Sequence, residues 1–113
     1  MPRAPWRKRR GPKGAKRWRR SGPWILRNPD GTVSEGSYEE GRRSGAWVIR
    51  YAVGWVDNGA YVDGKRSGQW VSRIPDGTVY EGSYVDGYRN GQWVRRHPDG
   101  RTETETWVDG VEQ

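Results

Sequence analysis

The sequence predicts an all-β protein: an elongated, single-layer antiparallel sheet of four stacked 23-residue β-hairpin repeats, with a disordered basic arm at its N-terminus. Three observations predict it. From Ser21 onward the chain repeats itself every 23 residues without a gap, and a period in this range is the signature of a repeat architecture. The unit alternates β-branched and aromatic runs with glycine-bearing turns, which is strand and hairpin chemistry. Glycine also numbers 17 in 113 residues, and each one inside a helix would cost about 1 kcal/mol.

The arm comes first, as residues 1–20. It carries Arg3, Arg7, Lys8, Arg9, Arg10, Lys13, Lys16, Arg17, Arg19 and Arg20 and no acid, a formal charge of +10. The rest of the chain holds eleven basic and fourteen acidic residues, a formal −3. The net +7 is therefore a strongly basic arm on a mildly acidic body. Pro2, Pro5, Gly11, Pro12 and Gly14 interrupt any continuous amphipathic helix. With so little apolar surface to bury, such a segment stays disordered when free. It has no apolar core of the kind a secretory signal needs.

The body follows, as units 21–43, 44–66, 67–89 and 90–113, the last one residue longer. The first strand of each unit carries the tryptophan column Trp24, Trp47, Trp70 and Trp93, then a branched aliphatic (Ile25, Val48, Val71, Val94), then Arg27, Arg50, Arg73 and Arg96. A turn follows. In the third unit it is Pro75-Asp76-Gly77: proline pre-sets φ, the aspartate bonds its neighbouring backbone, and glycine accepts positive φ. The second strand carries Gly36, Gly59 and Gly82, then the aromatic column Tyr38, Tyr61, Tyr84 and Trp107. A second glycine turn, at Gly41, Gly64, Gly87 and Gly110, leads into the next unit. Strands about 4.8 Å apart make each unit advance the sheet by about 10 Å.

Alternation along each strand sorts the two faces. Glycines 36, 59 and 82 share a face with the tyrosines and leave room for a tryptophan ring from an adjacent strand. Stacked Trp, Tyr and Gly columns then form a thin core. The opposite face carries the aliphatics and the arginine row, with Glu35 and Glu81 placed to pair with it. In the fourth unit Glu105 replaces the repeat's glycine within an alternating Thr-Glu run. Charge on a terminal strand discourages edge-to-edge pairing, so this strand is expected to act as a C-terminal cap.

The stretch Tyr80-Glu81-Gly82-Ser83-Tyr84-Val85-Asp86-Gly87-Tyr88-Arg89-Asn90-Gly91 resembles the MORN repeat, the membrane occupation and recognition nexus motif. The pattern Tyr-x-Gly-x-aromatic-x-x-Gly-x-x-x-Gly is met at every specified position. The likeness extends over residues 21–113, with Ser34, Asp57 and Glu103 replacing the first tyrosine in the other units. The Gly-x-Trp ending, as in Gly91-Gln92-Trp93, is similar to a variant found in bacterial proteins, some labelled antitoxin-like. The resemblance implies a single-layer hairpin array without catalytic activity of its own. It also implies scaffolding, dimerisation or association with acidic phospholipid.

Functional candidates are few. The arm's ten cations are candidates for binding phosphate, whether on acidic lipid or on nucleic acid, with Trp6 and Trp18 available to stack on bases or sit at a lipid interface. In the second unit Ala52-Val53-Gly54-Trp55 replaces Pro-Asp-Gly-Thr. Tyr51, Val53 and Trp55 therefore make an apolar hairpin tip, a candidate partner contact. The arginine row Arg27, Arg50, Arg73 and Arg96 either meets an anionic ligand or covers apolar surface with its stems and pairs with nearby acids. Zero cysteine and one histidine, His97, exclude disulfides, thiolate nucleophiles and Cys- or multi-His metal centres. No nucleophile–base pair is arguable. Catalytic, cofactor and metal sites are therefore expected to be absent.

The resulting expectation is a non-enzymatic scaffold that binds a protein partner and is tethered by its arm. Two alternatives stay open: a nonspecific nucleic-acid-associated protein and an antitoxin-like neutraliser of a partner. A homo-oligomer also stays open. No run of about 18 apolar residues is available for a membrane helix. The expected location is cytoplasmic, or peripheral at a membrane.

Overall fold

A computed structural model describes residues 6–10 and 16–113 of the chain. The described residues form eleven strands and no helix. They are β1 (Trp6–Arg10), β2 (Lys16–Arg20), β3 (Gly22–Arg27), β4 (Val33–Glu39), β5 (Arg42–Arg50), β6 (Val56–Val62), β7 (Lys65–Arg73), β8 (Val79–Val85), β9 (Tyr88–Arg96), β10 (Thr102–Val108) and β11 (Val111–Glu112). Strands β3 to β11 form one open antiparallel sheet in chain order. The four pairs β3–β4, β5–β6, β7–β8 and β9–β10 are the four repeat hairpins. The short β11 adds a ninth strand, pairing Val111 with Val108 and Glu112 with Trp107. The register had folded this strand into the end of the fourth unit.

The arm expected to be disordered spans residues 1–20, of which 1–5 and 11–15 lie outside the described residues. Strands β1 and β2 pair antiparallel with each other, from Trp6↔Arg20 to Arg10↔Lys16, as a ladder separate from the main sheet.

Two kinds of turn shape the meander. Between units, two-residue loops reverse the chain with both residues left-handed: Glu40 (φ 51°) and Gly41 (φ 82°) in the first, Asp63 (φ 51°) and Gly64 (φ 81°) in the second. This is the type I′ geometry whose twist matches that of the flanking strands. Within each unit the tip is closed by a pair of backbone bonds. In the third unit Ile74 N–H donates to Thr78 O and Gly77 N–H donates to Ile74 O, both at 2.9 Å. The other three tips repeat this pattern.

The ladder between successive units contains one repeated irregularity. Glu35 pairs with Val48 and Ser37 with Ser44, so Gly36 alone faces the three residues Gly45, Ala46 and Trp47. The same break recurs at Gly59 and Gly82. Gly45 takes φ +70° inside the bulge, a backbone that side chains rarely adopt. The bulge also frees the carbonyl of Ser37, which accepts the Trp47 indole N–H at 3.0 Å. Trp70 donates to Ala60 O and Trp93 to Ser83 O in the same way.

The core lies on one face of this single layer. Trp47, Trp70 and Trp93 are only 1–2% exposed. Their neighbours in the core are Tyr38, Tyr61, Tyr80 and Ile49. The opposite face carries the arginine row. Cross-strand pairing interleaves it with valines as Arg27, Val33, Arg50, Val56, Arg73, Val79 and Arg96. Glu35 bonds Arg50 at 2.7 Å and Glu81 bonds Arg96 at 3.0 Å. These pairs are half-exposed and contribute at most about 1 kcal/mol each.

Candidate functional site

The face opposite the arginine row is built from rings, and a second arginine column runs through them. Aromatic rings follow one another across the sheet as Trp24, Tyr38, Trp47, Tyr61, Trp70 and Tyr84, with centroids 5.3–6.5 Å apart. Arg20 lies 4.1 Å from the Trp24 ring and 4.8 Å from Tyr38. Arg43 caps Trp47 and Tyr61 at 4.6 and 5.2 Å, and Arg66 caps Trp70 and Tyr84 at 4.2 and 5.6 Å. Arg89 sits against Tyr80, Trp93 and Trp107 at 4.9–5.1 Å. Each contact of this kind contributes about 0.5–2 kcal/mol, depending on how dry it is.

Sequence reasoning missed this column although its signal was present. Arg20, Arg43, Arg66 and Arg89 are spaced 23 apart. Arg20 also closes the arm, among its ten candidate anion-binding cations. The structure places the Arg20 guanidinium over the first rings of the repeat body. Arg3 and Lys13 lie outside the described residues. Arg7, Lys8, Arg9 and Arg10 fall on β1, and Lys16, Arg17 and Arg19 on β2.

Toward the hairpin tips, the ring face opens into a depression of about 550 Å³. Tyr51, Val53 and Trp55 from the second tip and Ile74 from the third form its lip. Its interior presents Asp57, Arg66, Ser72, Tyr80, Tyr84, Arg89 and Arg95. The structure thus brings together the three tip residues singled out in the sequence and joins them to a polar cluster that was not foreseen. Val53 is 74% exposed and Trp55 is 42% exposed.

The cluster is organised by one buried carboxylate. Asp57 accepts from Ser72 Oγ at 2.6 Å, Tyr51 OH at 3.1 Å and Arg66 Nη1 at 3.4 Å. Burial, reinforced by the Asp57 charge, pushes the Tyr51 phenol above its ordinary value. Tyr51 therefore stays protonated and keeps its donor. Burial alone would lower the Arg66 guanidinium, but Tyr61, followed by Tyr51 and Tyr84, outweighs it and holds the group above its ordinary value. Arg89 donates to Tyr80 OH at 3.1 Å. Arg95 reaches Glu105 at 3.5 Å and lies 4.7 Å from the Tyr80 ring. Three guanidinium groups thus meet two carboxylates, an excess of one positive charge beside apolar walls.

Elsewhere, His97 bonds Glu103 across the fourth tip, and that bond holds the Glu103 carboxyl below the usual range. Among the described residues no group of three or more His, Asp or Glu side chains is placed to hold a metal ion. No described helix is long and apolar enough to cross a membrane. No protein-family model matches the chain, and no curated protein matches it.

Proposed function

We propose that the chain is a non-enzymatic MORN-like scaffold that docks a protein partner on the tip end of its ring face, while its basic arm tethers it to an anionic surface such as acidic phospholipid. One observation carries the docking reading. Val53 and Trp55 are exposed at the lip of the depression, on a turn whose backbone does not require them. Gly54 has φ +96° and Gly77 +97°, and both tips close with the same hydrogen bonds, although the third carries Pro75-Asp76-Gly77-Thr78. Apolar exposure that the fold does not need is the usual mark of a contact surface. For the tether, the support is the formal +10 of residues 1–20, since each cation at an acidic membrane surface contributes about 1 kcal/mol.

Two measurements test the reading. The combined variant Ala52→Pro, Val53→Asp, Trp55→Thr copies the sibling tip. It should fold normally and lose capture of the partner in a pull-down from cell extract; full retention would remove the docking reading. Sedimentation with phosphatidylserine vesicles should be strong at low salt and fall as salt rises. It should also weaken when Arg7, Lys8, Arg9 and Arg10 are changed together to serine. Equal sedimentation with neutral phosphatidylcholine vesicles would remove the tether.

A further inference from the structure

The repeat does not vary at random. Four of its positions carry a different residue in every unit. Position 6 is Leu26, Ile49, Ser72 and Arg95, and position 8 is Asn28, Tyr51, Ile74 and His97. Position 14 is Ser34, Asp57, Tyr80 and Glu103, and position 22 is Arg42, Lys65, Tyr88 and Val111. Position 22 opens the first strand beyond each type I′ turn. The other three meet at the opposite end of the hairpins, and six of their members, Tyr51, Asp57, Ser72, Ile74, Tyr80 and Arg95, line the depression. Beside them run the columns that hold the sheet together: Trp24, Trp47, Trp70 and Trp93, the ring-stacked Arg20, Arg43, Arg66 and Arg89, and the glycine of the first three units.

We infer that positions 6, 8 and 14 are the recognition positions of the repeat, and that the site they form takes an acidic peptide segment anchored by an apolar side chain. The inference rests on the partner-docking proposal and specifies its ligand. A repeat scaffold supplies a constant frame, on which variation confined to one surface changes what is bound without changing what is folded. The chemistry of the lining selects the occupant. Val53, Trp55 and Ile74 offer an apolar lip, and Tyr80 and Tyr84 add ring surface below it. Asp57 offsets Arg66, and Glu105 offsets Arg95, both within ion-pair distance. Arg89 is then the cation in excess, bonded to the Tyr80 hydroxyl and stacked on rings. A peptide carboxylate supplies the missing charge, and an adjacent aromatic or branched side chain fills the space under the lip. A basic segment meets like charge there.

The test uses the full chain and a phage-displayed random dodecapeptide library as the probe. Selected peptides should carry Asp or Glu within two residues of an aromatic or branched aliphatic side chain. A labelled consensus peptide should bind at least tenfold more weakly to Ile74→Asn and to Arg95→Leu, which install the first unit's residues at positions 8 and 6. Lys65→Val, at position 22, should bind it as the parent does. Unfolding midpoints measured alongside separate lost binding from lost folding, and Ile74→Asn serves where Arg95→Leu destabilises. A basic consensus, the absence of any binder, or equal binding to all three variants would overturn the inference. Partner capture that depends on Trp55 but not on Ile74 or Arg95 would leave the docking proposal standing without it.

Discussion

The ring column and the hairpin tips are held constant in different ways. In the column the side chains are fixed by contact. A Cβ on Gly36, Gly59 or Gly82 would lie 2.0–2.5 Å from the indole above it, so only glycine fits beneath each ring. At the tips the backbone is constant while the side chains differ. The second and third tips share their hydrogen bonds and their glycine φ, yet one is Ala-Val-Gly-Trp and the other Pro-Asp-Gly-Thr. The comparison separates what stacks one unit on the next from what a unit shows to a partner.

The sharpest way to break the column is Gly59→Ala. The new methyl meets the Trp70 ring at about 2.0 Å, and neither backbone nor indole has room to yield within a bulge. The expected loss is about 3 kcal/mol, at the upper end for overpacking, read as a lowered urea midpoint. A loss below about 1 kcal/mol would mean that the rings are not seated as described. Next in size is Arg66→Met. It removes the cation from the Trp70 and Tyr84 rings and one of three donors from Asp57, an expected cost of about 2 kcal/mol. Arg50→Met on the opposite face removes a half-exposed pair with Glu35 and should cost about 0.5 kcal/mol or less. Equal losses from the two variants would erase the distinction between the arginine columns.

Much of this was legible in the sequence because the repeat states its own register. The number of hairpins, the ring face and the match of Glu35 and Glu81 to the arginine row all follow from a period of 23 and strict alternation. What was not legible depends on contacts between units. Trp47 is register-paired with Gly59, yet its ring lies over Gly36 of the preceding unit. The three-against-one bulge produces that offset, and no periodicity announces it. Arg43, Arg66 and Arg89 stand just beyond a type I′ loop, and only the ladder turns them onto the rings. Asp57 accepts from Tyr51 in its own unit and from Ser72 in the next, at a position where no sibling has an aspartate.

The tips offer a smaller and more selective effect. Proline already stands at 29, 75 and 98, on the same closed turn, so Ala52→Pro should stabilise by about 0.5 kcal/mol through the unfolded chain. This gain should not depend on pH. Val53→Asp acts differently. Asp76 shows how: the Thr78 backbone N–H donates to it at 2.8 Å, and this bond holds its carboxyl below the ordinary aspartate range. A carboxyl whose folded value is depressed stabilises the fold above its unfolded value and loses that contribution as pH falls through the folded value. The wild-type second tip has valine there and contributes no such dependence. Urea midpoints of the parent, Ala52→Pro alone and Ala52→Pro with Val53→Asp, followed from pH 6 to pH 2, separate the two effects. The double variant should lead the single one at pH 6, and that lead should shrink as pH falls below the ordinary aspartate range. A lead undiminished at pH 2 would show that the aspartate acts without its charge. A lead absent at every pH would show that the tips keep aspartate for something other than the turn.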